Sequence, residues 1–490
     1  MIFICAQPDE PYFLWQIEIL IDNLSNLKVD KLNIHIVFSY DKDEGVSNNL
    51  MSLSKNKSHL ANFFWYPDER ENQIYISSIR PHILGKHFES NPWLEKEVLF
   101  YHDSDIVFTT GLPPSLREMA TDDIIYVSDA RAYLNASYID STGKTVLKSM
   151  CQALGFSEKM IRENENNSGG AQYILKGINS SFWKKVEEDS SILYEHLIKN
   201  QDKNIELFLL EYPETKIPLV VNSWCADMWA LLWNLFEKSK VRIHKELNFC
   251  WANDDNRKWN ENYIFHNAGI SYLEENKFFY KSKFKLYSPF CSDFSLIYKD
   301  SCSRKYVDLF REEDNFYLEN MFVFIFGDVK YKDTIKAYLE KYTRIEPIWL
   351  EEGETIDFEL IDKLKHENIL FYNTRYLVDK SKLVAMQNAK KYEAFSCVGY
   401  DLDKISPASQ NLFFNDYDFQ FLSKYAIIKE ISFMVKYSSM MISKIGLLKI
   451  LENQKIPVSE SLIRLIGYRI LEIGKMVNLT NNVKICYDAI

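Results

Sequence analysis

Two aspartates, Asp103 and Asp105, directly follow the apolar run Leu99-Phe100-Tyr101-His102. A turn after a strand can aim both carboxylates, with Ser104 between them, at one divalent cation held by hard oxygen ligands. Nucleotide phosphates fill the remaining positions of such an ion. The same Asp-X-Asp spacing recurs at Asp41/Asp43, Asp401/Asp403 and Asp416/Asp418, where a solvated turn is the simpler reading. Context separates the 103/105 pair from the others.

Upstream, Arg80 precedes Pro81, a residue suited to opening a helix. That placement suits a cation near ribose or phosphate. Downstream, Asn167-Ser168-Gly169-Gly170-Ala171-Gln172-Tyr173 combines two glycines, which allow close backbone approach, with polar side chains. Asp227 lies among aromatic residues in Trp224-Cys225-Ala226-Asp227-Met228-Trp229, and His266 ends a strand-like run before Asn267-Ala268-Gly269. Trp224, Trp229 and Trp233 at helical spacing fit a core better than a sugar platform. The first strand-like run ends in Gln7-Pro8-Asp9.

These residues need a scaffold, and the chain supplies one. From Met1 to about Arg311, short apolar runs alternate with amphipathic stretches, the pattern of an α/β domain over 1–311. A small second α/β unit follows over 317–405. The region 423–490 reads as helical, and it carries ten Lys or Arg against five Asp or Glu, net +5 on a chain of net charge −11. At 490 residues the chain exceeds what one core usually fills, so several domains are expected.

The ordered set Gln7-Pro8-Asp9, Arg80-Pro81, Asp103-Ser104-Asp105, Asn167 to Tyr173, Asp227 and His266 resembles metal-dependent glycosyltransferases of the GT-A fold. It is most similar to the retaining type of glycogenin and the lipopolysaccharide galactosyltransferases, over about residues 1 to 285. The resemblance implies a mixed, Rossmann-like sheet and a UDP-sugar donor. It implies Mn2+ or Mg2+ on Asp103, Asp105 and His266, with Gln7, Pro8 and Asp9 at the nucleobase. Arg80, Ser104, Gly169 and Gly170 would contact the donor, and Asp227 and Gln172 would act at the sugar. The family's lysine after the metal histidine has no counterpart, and Lys281 is the nearest substitute. Where the family has two acids, Ala226-Asp227-Met228 keeps one, so retaining and inverting courses both stay open. The acceptor would be a glycan or glycoconjugate, lipid-linked if the family's role in surface glycans carries over.

Other features narrow the field. The acidic balance, with a pI near 5.5, argues against a nucleic-acid partner bound through a basic surface. The eight cysteines show no CxxC pair, which fits a reducing, cytoplasmic setting. The N-terminal run reads as a first strand rather than a signal peptide, and no run is long and apolar enough for a spanning helix. Ile427, Ile431, Met434, Val435, Met441, Ile445 and Leu448 recur at helical spacing among lysines. That stripe fits core packing or peripheral membrane contact through 423–490. Two rival classes remain: another metal-dependent nucleotide enzyme (nucleotidyltransferase or phosphohydrolase), and a non-catalytic carbohydrate-binding protein. With two carboxylates crowded together, Asp103 and Asp105 are expected to repel, so removing both should hold or raise stability without metal.

Overall fold

The computed structural model describes the chain outside 216, 275–276, 286–287, 291–293, 295, 311–317, 319–320, 344–345, 379–382, 384–393, 398–399, 402–438, 452–454, 460–461, 463–475, 481–482 and 488–490. It divides into two compact units, Met1–Ser271 with Tyr298–Leu309, and Tyr272–Ile297 with Phe310–Ile490. The expected boundaries are continuous in sequence, whereas these units interleave.

The first unit is mixed α/β. Strand β1 (Ile2–Pro8) is apolar on both faces: Ile2, Ile4 and Ala6 pack into one core, Phe3 and Cys5 into the other. A strand with two apolar faces belongs inside a sheet covered on both sides. Helix α1 (Pro11–Asn26), with proline at its first position, brings Ile17, Leu20, Ile21 and Leu24 to the Phe3 face. After β2 (Ile34–Asp41), α2 (Asn48–Lys57) adds Leu50 and Leu53 to that face. After β3 (Asn62–Asp68), α3 (Ile79–Ser90) packs Ile79, Ile83, Leu84 and Phe88 on the opposite face.

Next come β4 (Leu99–His102), β5 (Ile106–Phe108), β6 (Ile125–Asp129), β7 (Gly169–Leu175), β8 (Val241–Ile243), β9 (Phe249–Trp251) and β10 (Ile264–His266). The main sheet runs β3-β2-β1-β4-β7-β6-β8. Only β7 runs antiparallel to its neighbours. Because β1 is followed by β2 and β3 on one side while β4 joins it on the other, strand order reverses between β1 and β4. Carboxyl ends at such a reversal leave a crevice between diverging connections. A small sheet, β5-β10-β9, adds Ile106, Phe108 and Ile264 to the core on the α1 face.

In the second unit one sheet runs Ile348–Trp349, Met321–Phe326, Asn368–Asn373, Ser439–Ser443, Ala394–Cys397, Met476–Thr480, Val483–Tyr487. The described part of 423–490 is therefore not purely helical, as the sequence pattern suggested. Ser439–Ser443 is an interior strand, antiparallel to both Asn368–Asn373 and Ala394–Cys397. Met441 and Ile442 are both buried, so successive apolar residues serve opposite faces of a covered sheet. A helix follows at Lys444–Leu451. Four members of the expected stripe, Ile427, Ile431, Met434 and Val435, lie outside the described residues. Met441 belongs to the strand, so the stripe does not run as one helix.

Candidate metal centre and active site

β4 delivers Asp103 and Asp105 to the crevice at its carboxyl end, and β10 ends there at His266. His266 Nε2 lies 3.7 Å from Asp103 Oδ2 and 3.4 Å from Asp105 Oδ1. One ligand atom from each of the three falls within 4.8 Å of the others. Separations of this size are those between ligands sharing one ion at about 2.0 to 2.6 Å. Asp105 is 4% exposed and His266 8%. The imidazole is fixed by Trp251, stacked at 6.0 Å and 15°, and by the Phe249 ring edge at 4.9 Å. The Asn267 N–H donates to the Asp105 carbonyl at 2.9 Å, joining the two halves of the site through backbone.

Arg80, in the first turn of α3, reaches Asp103 from the other face of the sheet. Its Nη1 donates to Asp103 Oδ1 at 2.6 Å, and Nη2 lies 3.0 Å from Asp227 Oδ2. Asp227 stands in the first turn of the helix Ala226–Lys238, where the helix dipole favours an anion. Tyr75, buried and stacked on Tyr194 at 4.5 Å, donates from its hydroxyl toward Asp227 Oδ1 (2.7 Å) and the Trp224 carbonyl (2.6 Å), and accepts from Asp227 N (3.1 Å). Burial pushes the Asp227 carboxyl above its ordinary range, with Arg80 and Tyr75 opposing and Asp103 adding to the rise. Burial works against the Arg80 charge, but Asp227 and Asp103 hold its pKa well above normal. Burial and the Asp227 charge drive the Tyr75 phenol strongly upward.

The donor set, two carboxylates and one imidazole, suits a divalent cation. Charge balance fits too. Asp103 and Asp227 share one guanidinium, and Asp105 adds a further buried carboxylate to the cluster. A divalent cation offsets that excess.

The other expected residues divide. Gln7, Pro8 and Asp9 lie at the carboxyl end of β1, at the strand-order reversal, and Gln7 is buried. Asp9 accepts from Ser47 N and Oγ, both at 2.7 Å, and so anchors the start of α2. Ser104 is buried and donates to Gln16 Oε1 at 2.7 Å, tying the acidic turn to α1. Lys281 opens the short turn Lys281–Phe284, which belongs to the second unit. Trp229 and Trp233 are core, while Trp224 is 53% exposed.

The glycines were expected to leave room for a ligand, and the structure fills that room with the chain itself. A Cβ on Gly169 would lie 2.2 Å from Val127 Cγ2 and 2.3 Å from the Ser128 carbonyl. On Gly170 it would meet Met228 Cε at 2.6 Å. Gly169 pairs with Asp129 across a register shift in β6, and this close strand approach explains its size. Gln172, expected at the donor sugar, is fully buried in β7 opposite His102. Its side-chain amide has no hydrogen-bond partner among the described residues, nor does His102 Nε2. Burial lowers the His102 pKa to about 4. Tyr75 and His102 carried no recognisable signal in the sequence, since aromatic residues in apolar surroundings look like core.

Comparison with solved structures brings up glycosyltransferases. Apo WbbM, a bifunctional glycosyltransferase, matches at 11% identity and a TM-score of 0.32 over 55% of this chain, which covers 46% of WbbM. The galactosyltransferase LgtC, in complex with donor and acceptor sugar analogues, matches at 11% identity and 0.31, over 63% of this chain and 95% of LgtC. A glycosyltransferase involved in glycosylation of the major capsid of PBCV-1 matches at 11% and 0.24, over 56% and 96%. The chain thus spans about half of WbbM and nearly all of LgtC. No protein-family model and no curated protein matches the sequence.

Proposed function

We propose that this chain is a GT-A-type glycosyltransferase that moves a sugar from a UDP-sugar to a hydroxyl of a glycan or glycoconjugate, using a divalent metal. The observation that carries the reading is the meeting of Asp103 and Asp105 with His266, far apart in sequence, at the carboxyl end of β4. In this reading Asp103, Asp105 and His266 hold Mn2+ or Mg2+. The bound ion supplies neutralisation of the charge that develops on a departing nucleoside diphosphate. Arg80 keeps Asp103 and Asp227 in fixed relation and offers its guanidinium to the donor. Asp227 binds a sugar or acceptor hydroxyl, and a carboxyl raised by burial is suited to accept the proton that an attacking hydroxyl must lose. Gln7, Pro8 and Asp9 border the nucleobase. The acceptor is proposed to be lipid-linked, reached by a cytoplasmic protein with peripheral membrane contact through 423–490. Among the described residues, no helix is long and apolar enough to cross a membrane.

The test is calorimetry with UDP plus Mn2+ against ATP plus Mg2+, followed by hydrolysis assays across a panel of UDP-sugars. Metal-dependent UDP binding with slow hydrolysis of one UDP-sugar is expected. Preference for ATP would assign the site to a nucleotidyltransferase or phosphohydrolase. Binding of sugars without any turnover would make the protein a carbohydrate-binding one.

A further inference from the structure

Between β3 and α3 the chain runs through Ile74, Tyr75 and Ile76; both isoleucines are exposed, while the tyrosine between them is 1% exposed. A buried side chain with exposed neighbours on either side needs its backbone held. Arg70 supplies the hold. It pairs with Asp68 at the end of β3, Nε to Oδ1 at 3.0 Å and Nη2 to Oδ2 at 2.8 Å. Its Nη1 donates to the carbonyls of Tyr75 at 3.1 Å and Ile76 at 3.2 Å, and Ser78 Oγ donates to the Tyr75 carbonyl at 2.8 Å.

The Tyr75 ring packs through ring contacts. Tyr194 of the helix Ser180–Lys199 stacks on it at 4.5 Å and 20°, and Trp224 meets it edge-on at 6.0 Å and 81°. Phenylalanine would keep both. The hydroxyl instead serves the turn that opens the helix of Asp227: it lies 2.6 Å from the Trp224 carbonyl and 2.7 Å from Asp227 Oδ1, and it accepts from Asp227 N at 3.1 Å. The other carboxylate oxygen, Oδ2, lies 3.0 Å from Arg80 Nη2, while Arg80 Nη1 holds Asp103 at 2.6 Å. With a partner on each oxygen, the plane of the Asp227 carboxylate is set against the acidic turn. Release of Oδ1 leaves that carboxylate free to rotate about its remaining contact.

We propose that Tyr75 is a positioning residue for sugar transfer: its hydroxyl grips Asp227 Oδ1 and, with Arg80 on Oδ2, fixes the carboxylate in the orientation that meets the sugar or acceptor hydroxyl. The proposal rests on the reading of Asp227 as the group that acts at the sugar. Tyr75 touches neither donor nor metal in this scheme and acts through Asp227 alone. Misplacing a reacting group by about 1 Å can slow a reaction about a hundredfold, so loss of one of two holds should lower turnover and leave nucleotide binding intact. Two residues that act as one unit are also not additive, since removing the second adds little once the first is gone.

The experiment is a double-mutant cycle on the full chain: wild type, Tyr75→Phe, Asp227→Asn and the double variant. Each is assayed for kcat and KM with the UDP-sugar that wild type turns over, and for UDP affinity with Mn2+ by calorimetry. Tyr75→Phe is expected to lower kcat about tenfold or more, with KM and UDP affinity within about twofold of wild type. In the Asp227→Asn background the same change should cost less than about threefold. Wild-type kcat in Tyr75→Phe overturns the positioning role and leaves the transferase reading standing. An equal loss in both backgrounds overturns it as well, because the hydroxyl would then act apart from Asp227. A matching loss of UDP affinity does the same by placing Tyr75 at the nucleotide. Absence of turnover of any UDP-sugar by wild type overturns the reading and the proposal together. Should Tyr75→Phe fail to fold, Tyr194→Leu, which removes the stacked ring and keeps the hydroxyl, takes its place. A loss of about threefold in kcat at unchanged UDP affinity supports the grip, and full kcat overturns it.

Discussion

Asp103 does not simply repel Asp105, as the bare acidic pair suggests, because Arg80 neutralises it at 2.6 Å. Replacing Asp103 and Asp105 by alanine is therefore expected to abolish Mn2+-dependent UDP binding and also to lower stability without metal. The loss should be about 1 to 3 kcal/mol, the scale of a hydrogen bond to a charged partner. Calorimetry and melting of the metal-free variant check the two halves; retained metal-dependent binding would remove these acids from the site. Asp227→Asn keeps a partner for Tyr75 and should spare UDP affinity while slowing transfer about a hundredfold or more. Equal loss of binding and transfer would place Asp227 in the nucleotide pocket instead. A third residue-scale expectation lies away from the site, in the buried chain Tyr66–His87–His35, joined by bonds of 3.0 Å. Burial lowers His35 to about 4 and His87, beside it, to about 3. Their folded pKa values lie below the unfolded value near 6.5, so the unfolded chain takes up protons first. Stability is full above pH 6.5 and falls as pH drops toward 4, by up to about 1.4 kcal/mol per pH unit for each histidine. Melting from pH 7 to pH 4.5 should show this, and His87→Leu should flatten the slope; an unchanged slope in the variant would clear the pair.

At the scale of elements, β7 is the constrained piece, with Ala171 at φ 67° directly after the two glycines. A non-glycine residue in the left-handed region is held there at a cost by its surroundings. Gly169→Ala drives a methyl against Val127 and the Ser128 backbone, and is expected to cost about 3 kcal/mol or more. Gly170→Ala meets the flexible end of Met228 and should cost about 1 kcal/mol. Equal melting of both variants and wild type would mean that β6 and β7 approach less closely. The same glycines show why the sequence was only partly legible. It revealed that this backbone was special, because two adjacent glycines before an apolar run are rare in strands. It did not reveal what approached them, because a neighbouring strand and a ligand ask for the same missing side chain. The turn after β4 was legible, since strand, acids and turn are contiguous. Tyr75 was not, since its partners lie far off along the chain. Ser439–Ser443 was misread because five residues among lysines fit a helical period as well as an alternating one, and only pairing with Asn368–Asn373 decides it.

For the whole molecule, the interleaving of the two units governs where the chain can be cut. A chain ending at Ser271 keeps every proposed metal ligand yet lacks Tyr298–Leu309, so Phe265 loses its stacked partner and Ala252 its donors from Ser303. The basic tail sets a second limit. A net +5 over 423–490 gives reason to test membrane contact, since each lysine near an anionic surface contributes about 1 kcal/mol. Removing the tail at Leu422 is nevertheless the wrong control. It deletes Ser439–Ser443 from between Asn368–Asn373 and Ala394–Cys397, removes Met476–Thr480 from the other side of Ala394–Cys397, takes Ile442 and Leu447 from the core of the second unit, and leaves three strand edges open. Open apolar edges pair with other chains. The truncated chain is expected to aggregate or to lose one melting transition, in any buffer and with no vesicles present. Size-exclusion chromatography decides that point, and a monomeric, fully folded truncation would show that the strand is dispensable. Membrane contact is then measured on the intact chain, by flotation with anionic against neutral vesicles. Binding to anionic vesicles in low salt, released by about 0.5 M salt as charges are screened, supports a peripheral enzyme. Indifference to both kinds of vesicle would leave the lysines as a solvated surface and point to a soluble acceptor.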